Sequence, residues 1–125
     1  MLSISVLGAN GRMGRNLITA VAEDPQTSLH SGTVREASPL LGIDAGVAVG
    51  GTPLNVKLDT LNNTQIMGLD VVIDFTLPTV LSTHLDWCIQ HNLPIVIGTT
   101  GLSPEQETAL HKASEQIPIV FAANY

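Results

Sequence analysis

The stretch VLGANGRMGRNL, residues 6–17, joins an apolar segment to a helix-like segment through a glycine-rich turn. Gly8, Gly11 and Gly14 recur at intervals of three residues. Glycines here let the backbone bend sharply and approach a phosphate closely, while the free N–H groups of a helix start attract its charge. Asn10 stands where the commoner fingerprint has glycine, and Asn tolerates a left-handed backbone. The pattern predicts a strand, a dinucleotide-binding turn and a helix, with a purely structural turn as the alternative.

Strand-like and helix-like segments alternate along the whole chain. The helices are predicted to begin near Arg12, Pro78 and Ser103, the last with a capping-box pattern that Gln106 completes. Such alternation implies βαβ units with right-handed crossovers. We therefore predict a single-domain α/β fold with a doubly wound, Rossmann-like parallel sheet. The five predicted strands are residues 2–8, 28–34, 70–75, 94–98 and 117–125.

The middle of the chain has a weaker pattern. Residues 35–53 contain many Gly, Pro and Ala without a sustained period, which indicates a long loop with one short helical turn around Leu40 and Leu41. Residues 54–58 resemble a short strand, and residues 60–68 a weak helix. Long loops inside compact domains are often functional.

Composition excludes several classes of protein. The chain has 125 residues, 44% of them hydrophobic but only 3% aromatic, so it has one core and no stacking platform for single-stranded nucleic acid. Its net charge of -6 repels nucleic acids and anionic membranes. The start lacks a signal-peptide pattern and no apolar run reaches about 18 residues, so we expect a cytoplasmic protein without membrane contact. Cys88 is the only cysteine, and no metal cluster is evident.

The candidate site lies at the carboxyl ends of the strands, where such sheets bind ligands. We expect these ends to face one crevice. At the second end, Val34 replaces the usual acidic residue, and Arg35 offers a planar donor fork suited to a phosphate. This favours NADP over NAD as cofactor. Glu36 is the contrary possibility, and a merely solvated Arg35 is the alternative.

No acid or base is evident at that edge of the sheet. The four histidines lie within a predicted strand or on predicted helices, away from the strand ends, so we expect structural or solvated roles and name no catalytic residue. They are His30, His84, His91 and His111.

Five segments together resemble one family. In order and spacing, GANGRMGRNLI, VREASPLLGIDAG, DVVIDFTLP, PIVIGTTG and IVFAANY are similar to the N-terminal domain of the dihydrodipicolinate reductases. The resemblance covers essentially the whole chain. It implies an enzyme of the diaminopimelate route to lysine that reduces a cyclic dicarboxylate with hydride from NADH or NADPH.

The resemblance also assigns the cofactor-binding residues. Gly8 to Met13 would wrap the pyrophosphate, and Arg35 would meet the adenosine 2′-phosphate. The segments Gly98–Thr100 and Ala122–Tyr125 would line the nicotinamide end. The full set is Gly8, Ala9, Asn10, Gly11, Arg12, Met13, Arg35, Gly98, Thr99, Thr100, Ala122, Ala123, Asn124 and Tyr125.

Members of the family continue with a second domain that supplies the HHxxK proton donor, the substrate-gripping turn and a homotetramer interface. We therefore expect residues 1–125 to be a truncated dinucleotide-binding domain that binds cofactor without turnover. Two alternatives stay open: a nucleotide- or CoA-sensing regulatory module, and another reductase of this fold, such as a homoserine or semialdehyde dehydrogenase.

Overall fold

Five parallel strands form a single sheet in a computed structural model that describes residues 1–122. The strands are β1 (Leu2–Leu7), β2 (Thr27–Gly32), β3 (Val71–Asp74), β4 (Ile95–Ile97) and β5 (Ile119–Phe121). Their order across the sheet is β2-β1-β3-β4-β5, and every neighbouring pair is parallel. The strand order reverses between β1 and β3, so a crevice is expected at their carboxyl ends. The predicted doubly wound fold is confirmed.

Helices cover both faces of the sheet. They are α1 (Arg12–Glu23), α2 (Ala45–Ala48), α3 (Leu81–Gln90) and α4 (Pro104–Ala113), with short 3-10 turns at Leu61–Asn63 and Pro78–Val80. On one face, Ile18 and Val21 of α1 pack into a cluster with Ile4 and Val6 of β1. Burying one such side chain contributes roughly 1.5–3 kcal/mol. On the other face, α3 and α4 pack over a second cluster that includes Val72 and Ile97.

The start of α4 forms as predicted. The Ser103 hydroxyl accepts from the N–H of Gln106, and the Gln106 side chain accepts from the N–H of Ser103. The two bonds satisfy donors that a helix start would otherwise leave open. Gln106 also donates to the Pro78 carbonyl, which ties α4 to the turn before α3.

The structure differs from the prediction in the middle of the chain. Leu40 and Leu41 lie in a hydrogen-bonded turn, as predicted, but this turn is not helical, and the short helix is α2 (Ala45–Ala48). Residues 54–58 form no strand but contribute Lys57 to an isolated bridge. The predicted helix over 60–68 is only one 3-10 turn.

Long-range hydrogen bonds to the Asp44 carboxylate shape this region. The carboxylate caps α2 by accepting from Gly46 and Val47, and it also accepts from the N–H groups of Leu54 and Val56. The segment therefore folds around a side chain ten and twelve residues away, and a local periodicity cannot reveal that.

Candidate functional site

The glycine-rich turn after β1 leaves the start of α1 open. Gly8 adopts a left-handed backbone with φ of +72°, and its carbonyl accepts from the N–H of Gly11. The helix then begins at Arg12, with Gly11 as its N-cap residue and no side chain capping it. Its first turn contains no acidic residue. The N–H groups of the first helical turn lack acceptors one turn earlier, so they are available to an anion.

Close contacts hold this turn in place. A Cβ at Gly14 would overlap with the Gly8 carbonyl oxygen, so only glycine allows α1 to lie this close to the turn. A Cβ at Gly8 would overlap with the Thr76 methyl group from the end of β3. The two glycines thus allow the β1 turn, α1 and the residues after β3 to meet at one point.

Thr33 joins the end of β2 to the same turn. Its carbonyl accepts from the N–H of Ala9 at 2.7 Å, and its hydroxyl accepts from the N–H of Gly8 at 3.2 Å. The side chain is buried. Thr33 is not among the predicted site residues, because the sequence pattern places it inside a strand over residues 28–34. In the structure, β2 ends at Gly32, and Thr33 follows it.

A crevice of about 1010 Å³ opens at the carboxyl ends of β1, β2 and β3. This volume lies at the upper end of the range for pockets that bind small molecules and cofactors. Of the predicted site residues, those that line it are Gly8, Asn10, Gly11, Arg12, Met13 and Arg35. The predicted convergence on one crevice is therefore found at the first three strand ends.

The remaining predicted residues lie elsewhere. Ala9 is buried, with 1% of its surface exposed. The lining of the crevice does not include Gly98, Thr99, Thr100 or Ala122. Ala123, Asn124 and Tyr125 lie outside the described residues.

The crevice is lined by both positively and negatively charged side chains. Arg12 and Arg35 line it together with Glu36 and Asp59. Within residues 1–122, the only contact at ion-pair distance joins a histidine to an aspartate, so neither arginine has a carboxylate partner there. Both guanidinium groups are therefore available to an anionic ligand.

Asp59 was not foreseen from the sequence. It forms an isolated parallel bridge with Thr33, and its carbonyl accepts from the N–H of Val34 at 2.9 Å. This brings a carboxylate to the end of β2, although Val34 itself has no acceptor side chain. The pairing of two irregular segments, 26 residues apart, leaves no local sequence signal.

A buried polar cluster lies on the β3 side of the crevice. Asp74, the last residue of β3, is fully buried and contacts the imidazole Nδ1 of His84 at 2.6 Å. Its other carboxylate oxygen accepts from the N–H of Thr76 at 2.9 Å and from the Thr76 hydroxyl. Both Thr76 and His84 line the crevice.

The expectation that every histidine lies away from the strand ends is therefore wrong for His84. Its position on α3 was predicted correctly, but the packing of α3 against the sheet brings its ring to the last residue of β3. The spacing of ten residues between Asp74 and His84 carries no signal by itself, because it depends on how the connection folds. His30 fits the expectation, since its ring nitrogens contact Ser31 and the Met67 carbonyl.

At the end of β4, Phe75 lies against Gly98. A Cβ on Gly98 would overlap with the Phe75 ring, so the ring requires glycine there. The Gly98 N–H donates to the Asp74 carbonyl at 2.8 Å. Next to it, the Thr99 hydroxyl is buried and has no hydrogen-bond partner in the described part of the chain.

In residues 1–122, no three metal-ligating side chains cluster in a way that could hold a metal ion. No helix in the same range is long and apolar enough to cross a membrane.

Comparison with known proteins identifies the family. Residues 2–125 match the family model described as dihydrodipicolinate reductase, N-terminus. Among curated proteins, the 4-hydroxy-tetrahydrodipicolinate reductase of Pseudoalteromonas atlantica is 45% identical over 100% of this chain and 47% of its own length. The enzyme of that name from Psychrobacter arcticus is 44% identical over 100% of this chain and 45% of its own length. The chain thus spans about half the length of these relatives.

Solved structures share the fold. A dipicolinate-bound dihydrodipicolinate reductase from Paenisporosarcina sp. superposes with a TM-score of 0.75 at 24% identity, covering 99% of this chain and 48% of that one. An aspartate semialdehyde dehydrogenase from Candida albicans, solved with NADP, gives a TM-score of 0.70 at 15% identity, covering 99% of this chain and 43% of that one. The resemblance drawn from the sequence segments is confirmed, and the alternative of a nucleotide- or CoA-sensing module gains no support.

Proposed function

Because the chain belongs to the dihydrodipicolinate reductase family, we propose that it binds NADPH or NADH in the crevice at the ends of β1, β2 and β3. The observation that carries the proposal is the uncapped start of α1, which opens on this crevice without an acidic residue in its first turn. Backbone N–H groups and the helix dipole at such a start favour a diphosphate. Gly8, Gly11, Arg12 and Met13 would surround it.

The residues present fit a dinucleotide. Because Gly14 has no side chain, α1 can lie directly against the Gly8 carbonyl group, and such a close packing of turn and helix lets the backbone approach a ligand. Arg12 and Arg35, which have no carboxylate partner within residues 1–122, supply positive charge beside the open N–H groups. When the cofactor is bound, its reduced nicotinamide supplies the hydride, and the protein residues hold and orient the cofactor.

We further propose a preference for NADPH over NADH. Arg35 follows the end of β2, where a dinucleotide places its adenosine ribose, and a guanidinium pairs well with a 2′-phosphate. Glu36 and Asp59 oppose this preference, because carboxylates accept hydrogen bonds from the free ribose hydroxyls of NADH and repel a phosphate. The proposed preference for NADPH therefore depends on the attraction between Arg35 and the 2′-phosphate.

The nicotinamide would lie over β3 and β4. Phe75 follows β3, and Gly98, Thr99 and Thr100 follow β4. We propose that these residues, with the segment Ala122–Tyr125, contact the nicotinamide. The buried hydroxyl of Thr99, which lacks a partner in residues 1–122, is a donor and acceptor that a ligand could satisfy.

In a protein of the relatives' length, this domain would serve a reductase that transfers hydride to a cyclic dicarboxylate in the diaminopimelate route to lysine. The substrate site, the proton donor and a homotetramer interface would lie in the other half of such a protein. We propose a cytoplasmic enzyme that contacts neither nucleic acid nor membrane.

Titration of the protein with NADPH and NADH tests the proposal. Fluorescence of the reduced nicotinamide reports binding, and 2′,5′-ADP should displace both dinucleotides because it carries the phosphates of the adenosine half. Coenzyme A serves as a control ligand. The proposal expects saturable binding of both dinucleotides, with NADPH tighter. Binding of neither would contradict it.

A further inference from the structure

The Asp74 cluster determines how the Thr76 hydroxyl faces the crevice. The Thr76 hydroxyl donates to one oxygen of the Asp74 carboxylate, and Nδ1 of His84 lies 2.6 Å from the other oxygen. The side chain of Asp74 is fully buried, and its carboxylate also accepts from the Thr76 N–H. A buried carboxyl group with this many hydrogen-bond partners is held in one orientation.

The Thr76 hydroxyl has a single proton, and that proton points at Asp74. The Thr76 oxygen also lies 3.4 Å from Nδ1 of His84, and its remaining lone pair can accept a hydrogen bond from the crevice that Thr76 lines. Its methyl group lies on the side of Gly8, where a Cβ on that glycine would overlap with it. A phosphate oxygen only accepts hydrogen bonds, and it does not match this group. A sugar hydroxyl or a carboxamide NH₂ does.

The position of Thr76 in the sheet selects one half of a dinucleotide. β3 lies next to β1 on the side opposite to β2. If the start of α1 takes the diphosphate and the end of β2 takes the adenosine ribose, the other half extends over β3.

We propose that Thr76 is a specificity-determining residue that accepts a hydrogen bond from a hydroxyl or amide donor on the nicotinamide half of the cofactor. His84 is a positioning residue, which acts through Asp74 and keeps the Thr76 proton turned away from the crevice. This inference rests on the proposed function, because it needs a dinucleotide in the crevice.

The test compares the calorimetric affinities of the protein for NADPH and for 2′,5′-ADP, which lacks the nicotinamide half. Thr76→Val keeps the shape but removes the acceptor together with the hydroxyl proton that Asp74 accepts, and Thr76→Ser keeps both. We expect Thr76→Val to weaken NADPH binding about three- to tenfold, the effect of one neutral hydrogen bond, and to leave 2′,5′-ADP binding unchanged. Thr76→Ser should bind both ligands like the parent protein.

His84 has its own matched pair of variants. In His84→Asn, the side-chain NH₂ stands where Nδ1 stands and can still donate to Asp74, so NADPH binding should stay near the parent value. His84→Leu removes the donor and should weaken NADPH binding as Thr76→Val does. If His84→Leu does not fold, the two Thr76 variants decide the outcome alone.

A further ligand separates the two possible donors. The analogue of NADP in which a carboxylate replaces the carboxamide has no NH₂ on the ring. If the effect of Thr76→Val persists with this analogue, the donor is a sugar hydroxyl; if it disappears, the donor is the carboxamide. Either result supports an acceptor role for Thr76.

Two results would overturn the inference while the proposed function stands: Thr76→Val binding NADPH as tightly as the parent protein, or weakening NADPH and 2′,5′-ADP equally. If the parent protein binds neither ligand, the proposed function itself fails, and the inference falls with it.

Discussion

Gly14 lies directly against the carbonyl group of Gly8, so the first turn of α1 and the turn after β1 share one contact surface. A Cβ on Gly14 would overlap with the Gly8 oxygen and stand 2.9 Å from its carbonyl carbon. These are backbone atoms, which cannot move aside like the end of a flexible side chain. The contact fixes how closely the start of α1 approaches the turn after β1.

Gly14→Ala is expected to destabilise the protein. A glycine-to-alanine change inside a helix normally stabilises by about 0.4–1 kcal/mol, but overpacking here should reverse the sign and cost about 1–3 kcal/mol. Gly11→Ala is the matched control, because its Cβ would stand 3.5 Å from the Gly8 oxygen, an ordinary contact. Urea unfolding measures both variants. Equal stabilities of Gly14→Ala and Gly11→Ala would contradict the expected overlap.

Arg35→Ala is expected to weaken NADPH binding by about tenfold or more, because it removes a charge-assisted contact to a phosphate. NADH binding should change by less than about twofold, since a ribose hydroxyl gains little from this cation. Lys112→Ala removes one positive charge from α4, outside the crevice lining, and controls for net charge. Titrations of the parent protein and both variants with NADPH and with NADH measure these changes in affinity. An equal loss for NADH and NADPH would count against the role of Arg35.

Asp44 should make the stability depend on pH. The hydrogen bond from the Leu54 N–H is the largest cause that holds its pKa below the ordinary value of 3.8, and burial opposes this shift. Since the folded pKa is depressed, the stabilisation is present above 3.8 and is lost as the pH falls through the lower folded value. Asp44→Ala should therefore unfold at lower urea than the parent protein at neutral pH.

The difference between the parent protein and Asp44→Ala should narrow as the solution is acidified. Unfolding curves over a series of pH values test this. A difference that stays constant down to acid pH would show that the carboxylate charge contributes nothing, and that only packing is lost in the variant.

Cys88 should be chemically inert in the folded protein. Burial, and secondarily the nearby charge of Asp74, raises the pKa of its thiol from 9.0 to about 12. Only the thiolate reacts, so alkylation should be slow until the chain is unfolded. Because the unfolded thiol loses its proton first, stability should fall as the pH rises above 9.0. Rapid modification under native conditions would contradict this assignment.

The parts of the fold that follow from local pattern could be predicted from the sequence. The strand, turn and helix around Gly8, Gly11 and Gly14 need only neighbouring residues, and the capping box joins Ser103 and Gln106, which are three residues apart. Helix type and start signals reside in such short windows.

Contacts between distant segments could not be predicted in the same way. Asp44 organises residues 54 and 56, and Asp59 reaches the end of β2 through a bridge to Thr33. His84 contacts Asp74 only because of the way α3 packs on the sheet. In each case, the residues are separated along the chain by an irregular connection that has no period of its own.

The central claim is that the N–H groups at the start of α1 face the diphosphate of a bound dinucleotide. Amide chemical shifts of the ¹⁵N-labelled protein, followed during a titration with NADPH, test it most directly. We expect the largest changes at Arg12, Met13 and Gly14, and 2′,5′-ADP should move the Arg35 amide as well. Saturable binding that leaves the amides of this first helical turn unmoved would contradict the account.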